Sequence, residues 1–369
     1  LILFRDPIRL AEAYFDGSIE VDGDFNAAFG LRSYLESLRL PLGTKLNLAL
    51  KVLFLNRHKP AHPIKLLRDG ESSRQNGKET IAFHYDISND FYRLWLDDRM
   101  LYSCAYFENP QQSLEQAQCN KLDHICRKLR LQAGERYLDI GCGWGALACW
   151  AAKHYGVQAH GITLSQNQYE YACDEVRRQN LQGQVSIELC DYRDLPMTTA
   201  YDKISSIGMF EHVGQPHYRQ FFDKVHELLT PDGVALIHSI ARADGPGATD
   251  PWTAKYIFPG GYSPALSQIV PAVERAWLWI TDIEVLRLHY AFTLEEWYKR
   301  TVAAKDAIVA LYDERFYRMW LFYLGGAICA FRNDGHMNVQ IQLTRRRDAL
   351  PITRDYMAAT ELKYREMTK

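Results

Sequence analysis

Blocks of strand-like and helix-like hydrophobic patterning alternate along the chain from residue 114 onward. Short apolar runs predict strands at 136–142, 158–163, 185–190, 203–208 and 234–240. Apolar side chains at helical spacing predict helices at 114–131, 146–154, 166–178 and 217–229. This alternation predicts a parallel sheet with helices on both faces, because parallel neighbours need crossover connections. Two later runs, 279–288 and 338–344, are expected to complete the sheet as edge strands.

The region before this pattern differs in character. Residues 1–62 show helical periodicity in pieces, as at 7–15 and 46–55, and predict a small helical N-terminal domain. Residues 63–80 are polar and rich in glycine and serine, which is typical of a linker. The predicted fold is therefore α/β, with a Rossmann-like, mostly parallel seven-stranded sheet over 81–346 and a tail over 347–369.

One long stretch interrupts the alternation. Residues 241–277, between the fifth and sixth predicted strands, are rich in glycine, proline and aromatic residues and are expected to be irregular. Long insertions in compact α/β domains are usually functional, so this segment is interpreted as a lid. A packed surface loop is the alternative.

Composition removes several classes of function. With 47% apolar and 24% charged residues and a formal net charge of -2, the chain is typical of a globular protein and is not expected to bind nucleic acid. Its eight cysteines show no paired CxxC spacing, so neither a disulfide framework nor a metal centre is predicted, and a reducing cytoplasm fits best. The longest apolar stretch, 319–331, is shorter than the roughly 20 residues that cross a bilayer.

The candidate chemistry begins at a glycine-rich turn. Residues 137–145 (YLDIGCGWG) run from an apolar strand into the turn and then a helix, so Gly141 and Gly143 allow a ligand close to the backbone. Dinucleotide-binding proteins use a similar turn. The GxGxG spacing, the preceding Asp139, and Asp191, Tyr192 and Arg193 after the third strand favour S-adenosylmethionine over a nicotinamide cofactor.

The end of the second strand departs from the usual pattern. Nucleotide-binding Rossmann folds place an acidic residue there to hold the ribose hydroxyls. Here the strand ends in residues 163–168 (TLSQNQ), which contain no acid. Neutral hydroxyl and amide groups are therefore expected to hold the ribose.

Six motifs together resemble the cyclopropane-fatty-acid synthases and the related mycolic acid cyclopropane synthases. They lie in the family's order across about residues 81–346. They are HYDISNDFY (84–92), YSCAYF (102–107), GCGWG (141–145), TLSQNQ (163–168), MFEHVG (209–214) and YIFPGG (256–261). The helical N-terminal region is similar to the extra domain of the phospholipid-modifying members.

The resemblance implies a class I methyltransferase that builds a one-carbon bridge across the double bond of an unsaturated phospholipid chain. S-adenosylmethionine would be the methyl donor. The residues implied around it, beside Asp139, are Tyr102, Ser103, Gly141, Gly143, Thr163, Leu164, Gln168, Tyr192 and Arg193. The resemblance also implies a bound bicarbonate, held by Cys104, Glu211, His238, Tyr290 and the backbone of Ile240.

The chemistry is consistent with such a site. An alkene is a poor nucleophile, so methyl transfer passes through a carbocation-like species that needs a dry, aromatic pocket. Ring closure then needs a base to remove a proton from the added carbon, and the bound bicarbonate would be that base. Glu211 would either orient His238 or accept a hydrogen bond from the bicarbonate hydroxyl. Taken singly, a cysteine such as Cys104 is more often a small buried apolar group, and a histidine at a strand end such as His238 is more often a hydrogen-bonded core residue.

A lipid substrate requires a membrane surface. Residues 45–78 contain eight basic and two acidic residues with leucines interleaved, which favours peripheral binding at the cytoplasmic face of the inner membrane. The alternative is a helix with a solvated basic face. The apolar helix predicted at 316–331 would line the acyl channel or simply form core. Two copies of the chain are also expected to be able to form a homodimer, although no sequence feature shows one.

Three other functions remain open from the sequence. A related enzyme would methylate or methylenate the alkene and leave a branched chain without a ring. A lipid-binding module with a vestigial cofactor site would not catalyse any reaction. A dehydrogenase would use the same glycine turn for a nicotinamide cofactor.

Overall fold

A seven-stranded, mostly parallel sheet forms the centre of the protein. The computed structural model describes residues 7–30, Gly43 and 87–359. The strand order is β3-β2-β1-β4-β5-β7-β6, and only the contacts of β7 with its two neighbours are antiparallel. The strands are β1 (Arg136–Ile140), β2 (Gln158–Thr163), β3 (Val185–Leu189), β4 (Tyr201–Ile207), β5 (Leu229–Arg242), β6 (Trp279–Val285) and β7 (His336–Thr344).

Helices connect the strands and lie on both faces of the sheet. They are α1 (Pro7–Phe15), α2 (Asn89–Arg93), α3 (Leu114–Leu129), α4 (Ala146–Tyr155), α5 (Gln166–Arg178), α6 (Tyr218–Leu228), α7 (Pro251–Tyr256), α8 (Leu266–Arg275), α9 (His289–Ala303), α10 (Lys305–Leu311) and α11 (Glu314–Arg332). Side-chain caps fix several starts: Ser113 accepts from Gln116 N, and Ser165 accepts from Gln168 N.

The predicted fold class is confirmed, with two corrections to its details. β7 is not an edge strand, because it lies between β5 and β6. The segment 241–277 is not irregular throughout, because β5 continues to Arg242 and helices α7 and α8 occupy much of the remainder. Proline at the first turn of α7 and the apolar residues of α8, which recur every three to four positions, carry the helical signal that the glycine content obscured.

The N-terminal segment packs directly against α11. Residues 25–30 are helical, and the rings of Phe25 and Phe29 lie against Gly325 and Gly326. A Cβ atom at Gly325 would lie 2.8 Å from Phe29 Cε2, so glycine permits this close approach. Helix packing thus explains the glycine pair within α11.

Helix α1 also contacts the insertion. Glu12 Oε1 accepts from Lys255 Nζ at 2.7 Å and from Tyr256 Oη at 2.6 Å, and the Phe15 ring contacts the Tyr256 ring edge-on. Two charge-assisted bonds therefore join α1 to α7. Within residues 7–30 and 87–359, no helix combines the length and apolar character needed to span a bilayer.

Three sequence predictions lie outside the described residues: the helix at 46–55, the linker at 63–80 and the basic segment at 45–78. The predicted boundary between an N-terminal and an α/β domain falls in the same range, as does the start of the HYDISNDFY motif. Residues 360–369 of the predicted tail are also outside, whereas 355–359 are helical.

Candidate active site

The glycine-rich turn after β1 forms the floor of a first cavity at the carboxyl ends of the parallel strands. Gly141 N and Cys142 N both donate to Ile162 O at 2.9 Å, which holds the turn against β2. Gly141 has φ +78°, and an added Cβ there would lie 2.8 Å from Met209. Gly143 has φ +55° and faces open space. The turn therefore needs glycine for conformation and for ligand access.

Asp139 lies beneath this turn and is buried. Its Oδ1 accepts from Ser205 Oγ at 2.6 Å, and Ser205 is bonded in turn to Tyr137 Oη at 2.5 Å. Burial raises the pKa of Asp139 to about 6, against the lowering effect of the Ser205 hydrogen bond. Its carboxylate is thus fixed by β4 within the cavity wall.

Polar neutral groups occupy the end of β2, as the sequence indicated. Thr163 Oγ1 donates to Gln168 Oε1 at 2.8 Å and accepts from Ser165 N at 3.2 Å. All three side chains are buried. The Gln168 amide nitrogen remains a donor beside the cavity, as ribose hydroxyls would require.

Asp191 and Arg193, which line the same cavity, form an ion pair. Arg193 Nε donates to Asp191 Oδ1 at 2.9 Å, and the guanidinium also bonds Oδ2. Asp191 additionally caps its own 3₁₀ turn by accepting from Arg193 N. The charges of this pair therefore neutralise each other.

A second cavity adjoins the first. Tyr102, Ser103, Gly208 and His212 line both cavities, so they share a wall. The structure brings all ten predicted cofactor residues to the first cavity and all five predicted bicarbonate residues to the second. Residues of the insertion also line the second cavity, among them Thr253, Phe258 and Tyr262.

Glu211 carries the unusual electrostatics of the second cavity. Its Oε1 accepts from Ile240 N at 2.6 Å. Its Oε2 is buried and makes no hydrogen bond with the described part of the chain. Burial raises the Glu211 pKa to about 7, although the hydrogen bond from Ile240 N and the nearby Ser239 hydroxyl oppose this shift. A buried oxygen without a partner is costly, which indicates a polar ligand at this position.

His238 is held between two amides of β7. Its Nε2 lies 3.2 Å from Asn338 Nδ2, and its Nδ1 lies 3.2 Å from Gln340 Nε2. Burial lowers the pKa of His238 to about 3, so the ring is neutral. One of the two amides must present its oxygen to the ring N–H, because a neutral imidazole has one donor and one acceptor. Glu211 does not orient His238 here, contrary to one of the two expected roles.

Two further residues of the predicted bicarbonate site, Cys104 and Tyr290, carry hydrogen-bond donors. Burial raises the pKa of the Cys104 thiol well above its usual range, and Cys104 Sγ contacts Ala105 O at 3.3 Å. Tyr290 is buried with its ring edge-on to Trp297 and Phe331. The second cavity thus combines neutral donors with one carboxyl group that changes charge near neutral pH.

Comparisons with known proteins identify the family. A family model described as mycolic acid cyclopropane synthetase matches residues 72–341. The chain belongs to this family. The likeness to cyclopropane synthases inferred from six motifs is thereby confirmed.

Relatives of this cyclopropane synthase family cover most of the chain. The cyclopropane-fatty-acyl-phospholipid synthase of Escherichia coli K12 is 40% identical over 335 residues, which cover 90% of this chain and 81% of that protein. A probable fatty acid methyltransferase of Pseudomonas putida is 38% identical over 329 residues, covering 88% and 78%.

A solved structure of the family agrees with the fold. Mycolic acid cyclopropane synthase CmaA1, complexed with SAH and CTAB, superimposes with a TM-score of 0.68 at 33% identity, covering 72% of this chain and 97% of that one. The chain is therefore an S-adenosylmethionine-dependent methyltransferase of the cyclopropane synthase family.

Sequence reasoning missed several residues that line the two cavities of this methyltransferase. Lys121 and Trp144 line the first cavity, and Asn338 lines the second. Trp144 Nε1 donates to Asn89 Oδ1 at 2.8 Å, which ties the glycine turn to α2. A tryptophan within a glycine turn was a visible signal, whereas Lys121 and Asn338 looked like ordinary polar positions of a helix and a strand.

Proposed function

We propose that this enzyme transfers a methylene group from S-adenosylmethionine to the cis double bond of an unsaturated phospholipid acyl chain, forming a cyclopropane ring. The observation that carries the proposal is the buried Glu211 Oε2, which lacks a hydrogen bond at a cavity adjoining the cofactor cavity. The name of the Escherichia coli relative supports the phospholipid substrate.

The first cavity fits the proposed methyl donor. S-adenosylmethionine supplies a methyl group on a positively charged sulfur. Gly141 and Gly143 leave space for it beside the backbone, and Gln168 offers a donor to ribose hydroxyls. Tyr102, Gly208 and His212 line both cavities, so the reacting carbon would lie beside them.

The second cavity fits bicarbonate, which would serve as the base that accepts a proton from the added carbon. The thiol of Cys104 and the hydroxyl of Tyr290 would donate to the anion. When the Glu211 carboxyl group is ionised, its Oε2 would accept a hydrogen bond from the bicarbonate hydroxyl. When the carboxyl group is protonated, Oε2 would donate a hydrogen bond to bicarbonate. The N–H of Ile240 already binds Glu211, so it would serve the anion by positioning that carboxyl group.

Aromatic side chains would protect the cationic reaction path. Phe258, Tyr262 and Tyr290 line the second cavity, and their aromatic rings would stabilise positive charge while excluding water. Phe258 and Tyr262 belong to the insertion, so the segment 241–277 would act as the lid over the lipid chain.

Mass spectrometry tests the reaction directly. The protein is incubated with S-adenosylmethionine labelled in its methyl group and with vesicles of a cis-unsaturated phospholipid. The expected product carries one additional labelled CH₂ group, and fragmentation places it across the former double bond. A product of unchanged mass would remove the lipid proposal.

A branched product is the second candidate. The Pseudomonas putida relative is named a probable fatty acid methyltransferase, which favours methyl or methylene addition without ring closure. The same experiment separates the two, because fragmentation shows that a branched chain keeps a double bond whereas the ring product of the same mass has none.

Membrane association is proposed from the basic segment, with the enzyme peripheral at the cytoplasmic face of the inner membrane. Replacing Lys51, Arg57 and Lys59 with Glu reverses three charges of that segment. Since each basic residue near an anionic leaflet contributes about 1 kcal/mol, sedimentation with anionic vesicles is expected to be lost. Unchanged sedimentation would exclude this segment as the membrane contact, and neutral vesicles provide the control.

A further inference from the structure

A buried lysine ammonium lies at the first cavity. Lys121, on α3, is 1% exposed, and its Nζ donates to Ser103 Oγ at 2.8 Å. Lys121 and Ser103 both line the cavity proposed for the methyl donor. An ammonium group carries three donors, so this one bond leaves it incompletely satisfied.

The other charged side chains of this cavity already have partners. Arg193 pairs with Asp191, and Asp139 accepts a hydrogen bond from Ser205. Among the described residues, no carboxylate oxygen lies within 4.0 Å of Lys121 Nζ. Asp97 and Asp139 attract it only at longer range, and burial lowers the Lys121 pKa to about 8. A buried cation without an ion-pair partner is costly, so its retention indicates a ligand anion.

We propose that Lys121 binds the carboxylate of the methionine portion of S-adenosylmethionine, with the Ser103 hydroxyl as a second donor to the same group. The inference rests on the family's use of this cofactor, and it assigns a residue that orients the methyl donor. Pairing with a carboxylate would also use the ammonium donors of Lys121 that its single bond to Ser103 leaves free.

The alternative is a purely structural lysine that supports the segment containing Ser103. The two roles differ in which ligands they affect. A carboxylate partner matters only for ligands that carry the amino-acid group, whereas a structural role affects adenosine-containing ligands equally.

Calorimetry with two ligands distinguishes these roles. S-adenosylhomocysteine carries the carboxylate, and 5′-methylthioadenosine lacks the amino-acid group. In Lys121→Gln, which retains a donor for Ser103 but no charge, S-adenosylhomocysteine is expected to bind about 30-fold more weakly or worse. Affinity for 5′-methylthioadenosine is expected to stay within about twofold of the wild type.

Lys203→Met is the matched control. Lys203 is also buried and lies 3.5 Å from Glu135, away from both cavities. Both affinities should be unchanged in this variant. An equal loss for the two ligands in Lys121→Gln, or no loss for either, would overturn the proposal.

A second variant and the wild-type protein complete the experiment. If Lys121→Gln melts below the assay temperature, Lys121→Met provides a second variant with a similar side-chain length. Because no lipid is present, failure of the ring-forming proposal would leave this test intact. Failure of the wild type to bind S-adenosylhomocysteine would instead contradict the cofactor assignment itself.

Discussion

Replacing Glu211 with Gln is expected to reduce turnover by roughly 10²- to 10⁴-fold, the range of general base catalysis, while cofactor affinity stays unchanged. Gln can still accept the hydrogen bond from Ile240 N, so the local backbone is preserved. Its amide cannot change protonation, however, and it would present two donors where the bicarbonate hydroxyl requires an acceptor. Calorimetry with S-adenosylhomocysteine and a turnover assay on phospholipid vesicles measure the two quantities.

The pH dependence of stability gives an independent signature of the same carboxyl group. The folded-state pKa of Glu211 is about 7, raised by burial from 4.5. Below pH 4.5 the group is protonated in both states. Between pH 4.5 and 7 it ionises mainly in the unfolded state, so the free energy of unfolding falls as pH rises, by about 3 kcal/mol in total. Urea unfolding of Glu211→Gln should lack the part of the decrease that Glu211 contributes, whereas the part from Asp139, whose pKa is also raised by burial, should remain.

Glu274→Gln provides the control. Glu274 is exposed and lines neither cavity, so the variant removes a carboxylate outside the site. It should retain full turnover and the wild-type pH dependence of stability. Full turnover of Glu211→Gln would remove Glu211 from the mechanism. If Glu211→Gln loses both turnover and cofactor binding, the substitution has instead caused a structural defect.

The sheet was predictable because its signals are local. The apolar runs of β1 and β2 and the helical spacing of apolar residues in α5 are read from neighbouring residues. The order of β7 and β6 was not predictable, because antiparallel pairing depends on contacts between distant segments. The helices of the insertion were obscured by glycine and proline residues that lie between them.

The candidate site was predictable to a different degree. Residue types such as Cys104 and Glu211 follow from family likeness, and the structure gathers them at one cavity. Their hydrogen bonds do not follow from sequence. Ile240 N binds Glu211, which lies in a 3₁₀ turn far from it in sequence. His238 is held by Gln340 and Asn338 because His238 pairs with Gln340, and Ile240 with Asn338, across the sheet.

Replacing Gly141 with Ala is expected to lower kcat/KM by about 100-fold, because displacement of reacting groups by about 1 Å has effects of this size. The residue has φ +78°, and a Cβ atom there would lie 2.8 Å from Met209 Cβ and Cγ. Met209 directly precedes the 3₁₀ turn Phe210–His212, which contains Glu211. One added methyl group should therefore disturb the cofactor turn and the position of Glu211 together.

A matched variant separates this contact from backbone strain. Gly134 has φ +85° and nothing within 4 Å of an added Cβ, so Gly134→Ala introduces a similar strain, about 1–2 kcal/mol, without a clash. Its melting temperature should fall while kcat/KM stays at the wild-type value. If Gly141→Ala behaves like Gly134→Ala, the contact with Met209 does not couple the two cavities. If the loss of activity is partly restored by Met209→Gly in the same chain, the contact itself links cofactor binding to the positioning of the base.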